Sequence, residues 1–207
     1  MDQPESTEQE SIKPKRNYGW VILGLSFGNL IVEGGITRSQ PVFLPALRQG
    51  FGGSAATTAA IFSASGFFGG LAAPILGKIL DIIGPKYMFL LSGIVILVGW
   101  WASSMASHMW QLFIFYSLIS TIGHTSIGSF STTAILTPWF PKSKGVMLGV
   151  ADSGTATGQA ITPPLLQLVI TNYGWRAGFR VFGILFFLIT APLNFLFQRR
   201  PPNADPK

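Results

Sequence analysis

From Tyr87 to Pro141 the chain runs for 55 residues without a single Asp, Glu, Lys or Arg. Stretches 49–77, 153–175 and 181–198 are equally free of charge. A water-soluble helix or strand keeps a charged or polar face toward solvent, so runs of this length have no place in a soluble fold. Charged residues make up 11% of the 207 residues, against about 25% in soluble domains. The chain is therefore expected to dissolve in lipid, where the apolar surface faces outward and every backbone polar group is satisfied internally. The apolar runs are far longer than strands and do not alternate, so the expected elements are helices.

A spanning helix takes about 20 residues, and the stretch between the polar ends accommodates about six. Hydropathy places them at about Tyr18–Leu47 (long and interrupted), Ala55–Ile82, Tyr87–Ser107, Met109–Thr137, Gly145–Thr171 and Ala177–Gln198. The expected organisation is an all-α membrane protein, a six-helix domain over 18–198 built as two three-helix units. A disordered cytoplasmic tail is expected over 1–17, and a second cytoplasmic tail over 199–207, the start of a central loop. With the N-terminus inside, the cytoplasmic side carries Lys13, Lys15, Arg16, Lys78, Lys86, Lys142, Lys144, Arg199, Arg200 and Lys207. The outer side carries Arg48, Arg176 and Arg180. This bias predicts both termini in the cytoplasm of a multi-pass protein of the cell membrane. The same scatter argues against nucleic acid, despite a net charge of +6, because it forms no basic face or aromatic platform. The absence of cysteine excludes disulfides and thiolate metal sites, and no cofactor or metal is expected.

The turn after the second helix reads Gly77-Lys-Ile-Leu-Asp81-Ile-Ile-Gly84-Pro-Lys86. Its G-x-x-x-D-x-x-G-x-[RK] spacing and its position resemble the signature loop of the major facilitator superfamily. That resemblance implies a latch in which Asp81 docks on the second six-helix half of the carrier. Ile82 and Pro85 stand where the family often has basic residues. Two further stretches are similar to the monocarboxylate-porter branch and its oxalate/formate-antiporter-like relatives. One is Gly19-Trp20-Val21 continuing through Arg38-Ser39 to Val42-Phe43. The other runs from Trp139-Phe140-Pro-Lys142 to Gly149 and on through Gly154 to Gly158. Tyr173-Gly174-Trp175-Arg176 is also common in the branch, whereas its acidic residue before Gly-Trp is replaced by Asn17-Tyr18. The branch has a basic residue at the place of Arg38. The resemblance implies that it pairs with a substrate carboxylate and takes part in proton coupling. It further implies transport of a small organic anion, coupled to protons or to anion exchange. The second half would come from another chain or another copy. The alternative is a half that serves only in assembly.

The residues themselves add candidates, since an ionisable side chain at mid-span is costly and usually faces a cavity. Glu33 and Arg38 flank Gly34-Gly35 and lie about 140° apart on a straight helix. They pair only if the glycines unwind it. Arg38 is a substrate-binding candidate or an internal or snorkelling base. Glu33 is a proton site, a partner of Arg38 or a structural acid. In the fourth helix Tyr116, Ser120, His124, Gly128 and Thr132 recur at i+4 beside Ser117, Thr121, Thr125, Ser129 and Thr133. That stripe predicts one polar face along a wet path. Tyr116, His124 and, in the first helix, Asn29 are further substrate-binding candidates, His124 alternatively a neutral residue bonded to a hydroxyl. Asp152 is a proton-coupling candidate or a structural partner of Arg38, His124 or a lysine. Gly66-x-x-x-Gly70, Ala73-x-x-x-Gly77, Gly145-x-x-x-Gly149 and Gly154-x-x-x-Gly158 provide close packing, or smooth faces for helices that slide. An intramembrane serine protease would need a Gly-led serine turn and a later histidine. Ser63-Ala-Ser65-Gly66 and Asp152-Ser153-Gly154 lack the first, and no histidine follows His124. An enzyme is not expected.

Overall fold

A computed structural model describes residues 18–199, so the tail expected over 1–17 and residues 200–207 of the second tail lie outside it. The described residues contain no strand. Helices α1 (Tyr18–Phe51), α2 (Ala55–Ile83) and α3 (Pro85–Met105) follow one another with minimal loops. The next stretch is divided into α4 (Met109–Leu112), a π-helical segment (Phe113–Ser120), α5 (Thr121–Ser126), α6 (Ser129–Leu136) and a 3₁₀ turn (Thr137–Trp139). Helix α7 (Lys144–Phe197) closes the fold. Four of these helices, α1, α2, α3 and α7, are long and apolar enough to cross a membrane.

The surface is apolar, unlike that of a soluble protein, and polar side chains are buried among the apolar core. Phe67, Leu71 and Ile75 on α2 and Leu91, Ile94 and Val98 on α3 are exposed, at helical spacing. Ser26, Asn29, Ser39, Ser65, Ser117 and Thr121 are buried. Lipid supplies no hydrophobic drive between helices, so association rests on close packing and on hydrogen bonds such as these side chains make.

The closest packing is between α1 and the first arm of α7. A Cβ on Gly154 would lie 2.5 Å from the Phe27 carbonyl oxygen, and one on Gly35 would lie 2.5 Å from Thr162 Oγ1. A Cβ on Gly158 would collide with the Ile31 carbonyl, and one on Gly34 with the Thr155 carbonyl. Gly34-Gly35 therefore serves as a packing surface. Helix α1 runs without interruption from Tyr18 to Phe51, which corrects the expected break. It does contain Pro41 and Pro45, which each remove an N–H from the ladder in its C-terminal third.

Aromatic side chains lock the remaining elements. Phe43 of α1 stacks on Phe179 of α7 at 4.0 Å, and Trp100 of α3 meets Phe186 edge-on at 5.1 Å and Tyr116 at 6.0 Å. Arg176 donates to the Ala106 carbonyl (3.0 Å) and Arg180 to Ser104 Oγ (3.0 Å). Both place positive charge at the C-terminus of α3, where its free carbonyls and dipole favour a cation.

Helix α7 would be about 81 Å long if straight, far beyond a hydrocarbon core of about 30 Å. Gly174 divides it, with φ 82° and ψ 166°. Gly84, between α2 and α3, has nearly the same backbone, φ 79° and ψ 165°. Both sit in the positive-φ region that only glycine enters freely, and each is followed two residues later by a base, Lys86 or Arg176. The loop expected over 172–176 is thus a one-residue turn, because glycine alone reverses the helix direction there.

The glycine contacts generate a prediction. Gly158→Ala forces a methyl against backbone that cannot retreat, at a cost of about 1–3 kcal/mol. Gly149→Ala points into open space and gains helix propensity. Thermal unfolding in detergent should show a clear loss for the first and none for the second.

Candidate functional site

The polar stripe expected along one helix is divided by its own backbone. The π-helical turn carries Thr121 Oγ1 to the Tyr116 carbonyl (3.3 Å), and it shifts the register of everything before it. Tyr116 is buried among Phe62, Trp100 and Phe179, with Gln40 beside its hydroxyl. Ser117 donates to the Ile61 carbonyl (2.6 Å), and Ser65 and Thr121 share a hydrogen bond of 2.7 Å. Gly99 packs on Ser120, where an added Cβ would lie 2.8 Å from the Ser120 Cβ. The first half of the stripe is thus consumed by α2 and α3, and only the second half reaches open space.

That space is a cavity of about 390 Å³ lined by Glu33, Thr37, Gln40, Ser65, Gly69, His124, Thr125, Gly128 and Ser129, with Phe62 and Phe130 as apolar walls. A second cavity of about 270 Å³ lies beside it, lined by Leu30, Ser129, Thr132, Thr133, Leu148, Gly149 and Asp152. Ser129 belongs to both. Between α5 and α6 the backbone breaks: the Ile127 N–H reaches the His124 carbonyl (3.3 Å) and the Gly128 N–H the Thr125 carbonyl (3.2 Å). Gly128 then turns extended and α6 begins, with no side-chain cap.

Glu33 and His124 meet at the larger cavity. A Cβ on Gly128 would lie 3.7 Å from Glu33 Cγ, so this glycine leaves room for the acid. Asp152 on α7 is near enough to act electrostatically on Glu33. The two acids and the histidine therefore converge on the helix break. Thr155 Oγ1 donates to Asp152 Oδ1 (3.3 Å), and the Thr37 hydroxyl donates to the Glu33 carbonyl (3.0 Å).

Other sequence candidates stand elsewhere. Arg38 is exposed and makes no ion pair among the described residues; it is not in the cavity wall, although its neighbour Thr37 is. Glu33 and Arg38 are not brought together, since α1 does not unwind. Asn29 is 1% exposed and locked in a reciprocal amide pair with Asn194 of α7 (3.1 and 2.8 Å). Asp81 is exposed at the end of α2 without a partner among the described residues, Gly77 is half-buried, and the Lys86 ammonium lies 4.3 Å from the Phe195 ring. Ser129, Thr132 and Thr133 of the expected stripe line the cavities, and Gln40 and Ser65 line the larger one without having been expected there. A helix stop could have been read from Ser126-Ile-Gly128-Ser129, where a glycine and a capping residue interrupt the apolar run.

A profile of the Major Facilitator Superfamily matches residues 23–207. The chain belongs to the major facilitator superfamily. Among curated relatives, riboflavin transporter RibJ of Trypanosoma brucei brucei is 31% identical over 132 residues, covering 63% of this chain and 24% of that protein. Monocarboxylate transporter 11 of Homo sapiens is 23% identical over 188 residues, 91% of this chain and 40% of that protein. Monocarboxylate transporter 9 of Mus musculus is 26% identical over 178 residues, 86% and 35% respectively. The chain spans less than half the length of these relatives. It is a multi-pass helical membrane protein of a transporter family, and its similarity to monocarboxylate transporters agrees with the branch read from Arg38, Trp139–Gly158 and Tyr173–Arg176.

The amide pair supplies a second prediction. Asn29→Leu strands the Asn194 carbonyl in the interior and costs about 1–3 kcal/mol. Asn29→Leu combined with Asn194→Leu removes both polar groups and should recover most of that loss, measured by thermal unfolding of the four members of the cycle.

Proposed function

We propose that this chain forms six membrane spans of a secondary transporter that carries a small organic anion by alternating access, with both termini cytoplasmic. Six crossings follow if 109–139 and the two arms of α7 each span. The matched hinges at Gly84 and Gly174 favour the two-unit inverted repeat this requires. A second six-helix half, or another copy, completes the path. The observation that carries the function is that Glu33 and His124 line one cavity and Asp152 an adjoining one, the two sharing Ser129, inside a lipid-facing helical body. Such groups are costly in the membrane and are retained where something charged passes.

Arg38 binds the substrate carboxylate. Its planar fork offers two parallel hydrogen bonds to such a group. It follows Thr37 on the turn of α1 that lines the cavity, and it is uncommitted to any acid among the described residues. Glu33 and Asp152 carry the proton, and His124 contacts the substrate. Asp81, exposed at the end of α2, latches the two halves in one of the two access states, with Gly77, Gly84 and Lys86 shaping its turn. The site of action is the cell membrane.

Uptake of a labelled monocarboxylate into proteoliposomes, with the second half supplied, tests the assignment. Wild-type protein should accumulate the anion faster with an inward proton gradient, and Arg38→Gln should lower uptake at least about tenfold, the worth of one lost charge-assisted pair. Uptake unchanged by that substitution contradicts the role of Arg38. Absence of uptake by the chain alone, restored by the second half, is the expected control.

A further inference from the structure

A third cavity, of about 560 Å³, lies between the C-terminal third of α1 and the turn of α7. Val42, Pro45 and Gln49 belong to its α1 wall, and Gln167, Thr171 and Trp175 to its α7 wall. Amides, a hydroxyl and an indole N–H stand there beside apolar carbon, and no charged side chain is among the described residues of the wall. Gln167 Nε2 donates to Thr171 Oγ1 (3.0 Å), and both residues are exposed. One end is closed by Trp175, whose indole nitrogen would lie 2.9 Å from a Cβ on Gly50 and whose ring packs on Phe51 at 5.3 Å.

Helix register puts Arg38 on this cavity's side of α1. At about 100° per residue, Arg38, Val42, Pro45 and Gln49 share a stripe about 60° wide, and Glu33, Thr37 and Gln40 share another about 140° away. Helix α1 thus separates two cavities, with its acid toward one and its base in line with the other. Arg38 stands one turn, about 6 Å, before Val42. The charges around the third cavity are all of one sign. Arg48 is exposed and precedes Gln49 of the wall, and Arg176 lies 4.2 Å over the Trp175 ring. The acids among the described residues are Glu33, Asp81 and Asp152. Glu33 and Asp152 line the other two cavities, and Asp81 lies near the end of α2, whose start is the end that follows α1. Arg48 and Arg176 each neighbour a helix C-terminus, which accounts for them singly. Together with Arg38 they make a positive field that low-dielectric walls focus on the cavity.

We propose that this third cavity is a reception site for a small carboxylate, which the flanking arginines draw in and the uncharged wall holds before it passes along the α1 stripe to Arg38. This rests on the anion-transport reading above. The two positions differ in strength for a chemical reason. Amide, hydroxyl and indole donors make neutral hydrogen bonds to a carboxylate, and charge-assisted bonds from a guanidinium are about twice as strong. The anion therefore gains by exchanging the first set for the second. A fixed base in the wall itself would trap it short of Arg38. The Arg48 and Arg176 charges stand beside the wall instead, where they raise the rate of arrival more than the strength of binding.

Single cysteines in this cysteine-free chain test the site. Thr171→Cys and Gln49→Cys place a thiol on opposite walls. Each is modified in the purified full chain by a sulfonate-bearing and by a trimethylammonium-bearing methanethiosulfonate. Each rate is divided by the rate of the same reagent with free cysteine, and the ratio of the two results cancels the ionisation of the thiol. At low salt that ratio should favour the sulfonate about tenfold, and at 1 M salt, where the Debye length is about 3 Å, it should fall toward one. Arg48→Gln should lower it about threefold at low salt. Acetate should slow modification of both cysteines in a saturable manner, and acetamide, neutral and of the same shape, should not slow it at the same ionic strength. A ratio near one at low salt, a ratio indifferent to Arg48→Gln, or acetate acting no better than acetamide overturns the reception site. Ser129→Cys, in the 390 Å³ cavity, separates this failure from failure of the transport reading. Acetate that protects Ser129→Cys and neither of the other two overturns the reception site alone. Acetate that protects none of the three contradicts both.

Discussion

The backbones of α1 and the first arm of α7 touch, and the rest of the fold is arranged around that contact. Gly34, Gly35, Gly154 and Gly158 bring carbonyls within the space a methyl group would need. In a soluble protein such a crossing would be one contribution among many. In lipid, where apolar side chains gain nothing by leaving their surroundings, close approach is a main source of affinity between helices. The crossing also has a chemical consequence. Glu33 immediately precedes Gly34, and Asp152 lies two residues before Gly154, so the same contact that joins the helices brings their carboxylates close. A bulkier interface would separate the acids and widen the cavity between them.

The second constraint is the broken helix between 109 and 139. A spanning segment normally satisfies every amide within itself. Here a π-turn and an extended glycine spend some of that satisfaction, and the loss falls where polar side chains gather. Ser117 and Thr121 fasten the near half to α2, while Ser129, Thr132 and Thr133 of the far half share a cavity wall with Asp152. The break thus separates two tasks that a continuous helix would have mixed on one stripe: holding the bundle together, and lining the space that opens within it.

Much of this was legible in the residues. Charge-free runs set the helical membrane class, and the Gly77–Lys86 pattern and the Trp139–Gly158 stretch carried the family and its branch. The close contacts of Gly154 and Gly158 were readable from their spacing. The same spacing at Gly66 and Gly70, or at Gly145 and Gly149, meets open space, because a four-residue repeat specifies a smooth face and not the partner that covers it. Gly34-Gly35 read as a place where the helix could unwind and proved to be a contact surface, since nothing local distinguishes a glycine that bends from one that admits a neighbour. The i+4 reading of Tyr116 to Thr132 assumed an unbroken 3.6-residue period. A π-turn and the pause at Gly128 invalidate that assumption, which is why Tyr116 lies in the aromatic core and His124 in the cavity. Asn29 read as a substrate-binding candidate, but its amide is paired with Asn194, 165 positions away in the sequence.

The transport reading has an anion enter the cavity that Glu33, His124 and Ser129 line. The chain has no cysteine, so Ser129→Cys gives a single reactive thiol at that point. The rate of its modification by a small methanethiosulfonate reagent, in proteoliposomes with and without acetate, reads occupancy of the site directly. Acetate should slow modification in a saturable manner. A rate indifferent to acetate would contradict the anion-transport reading.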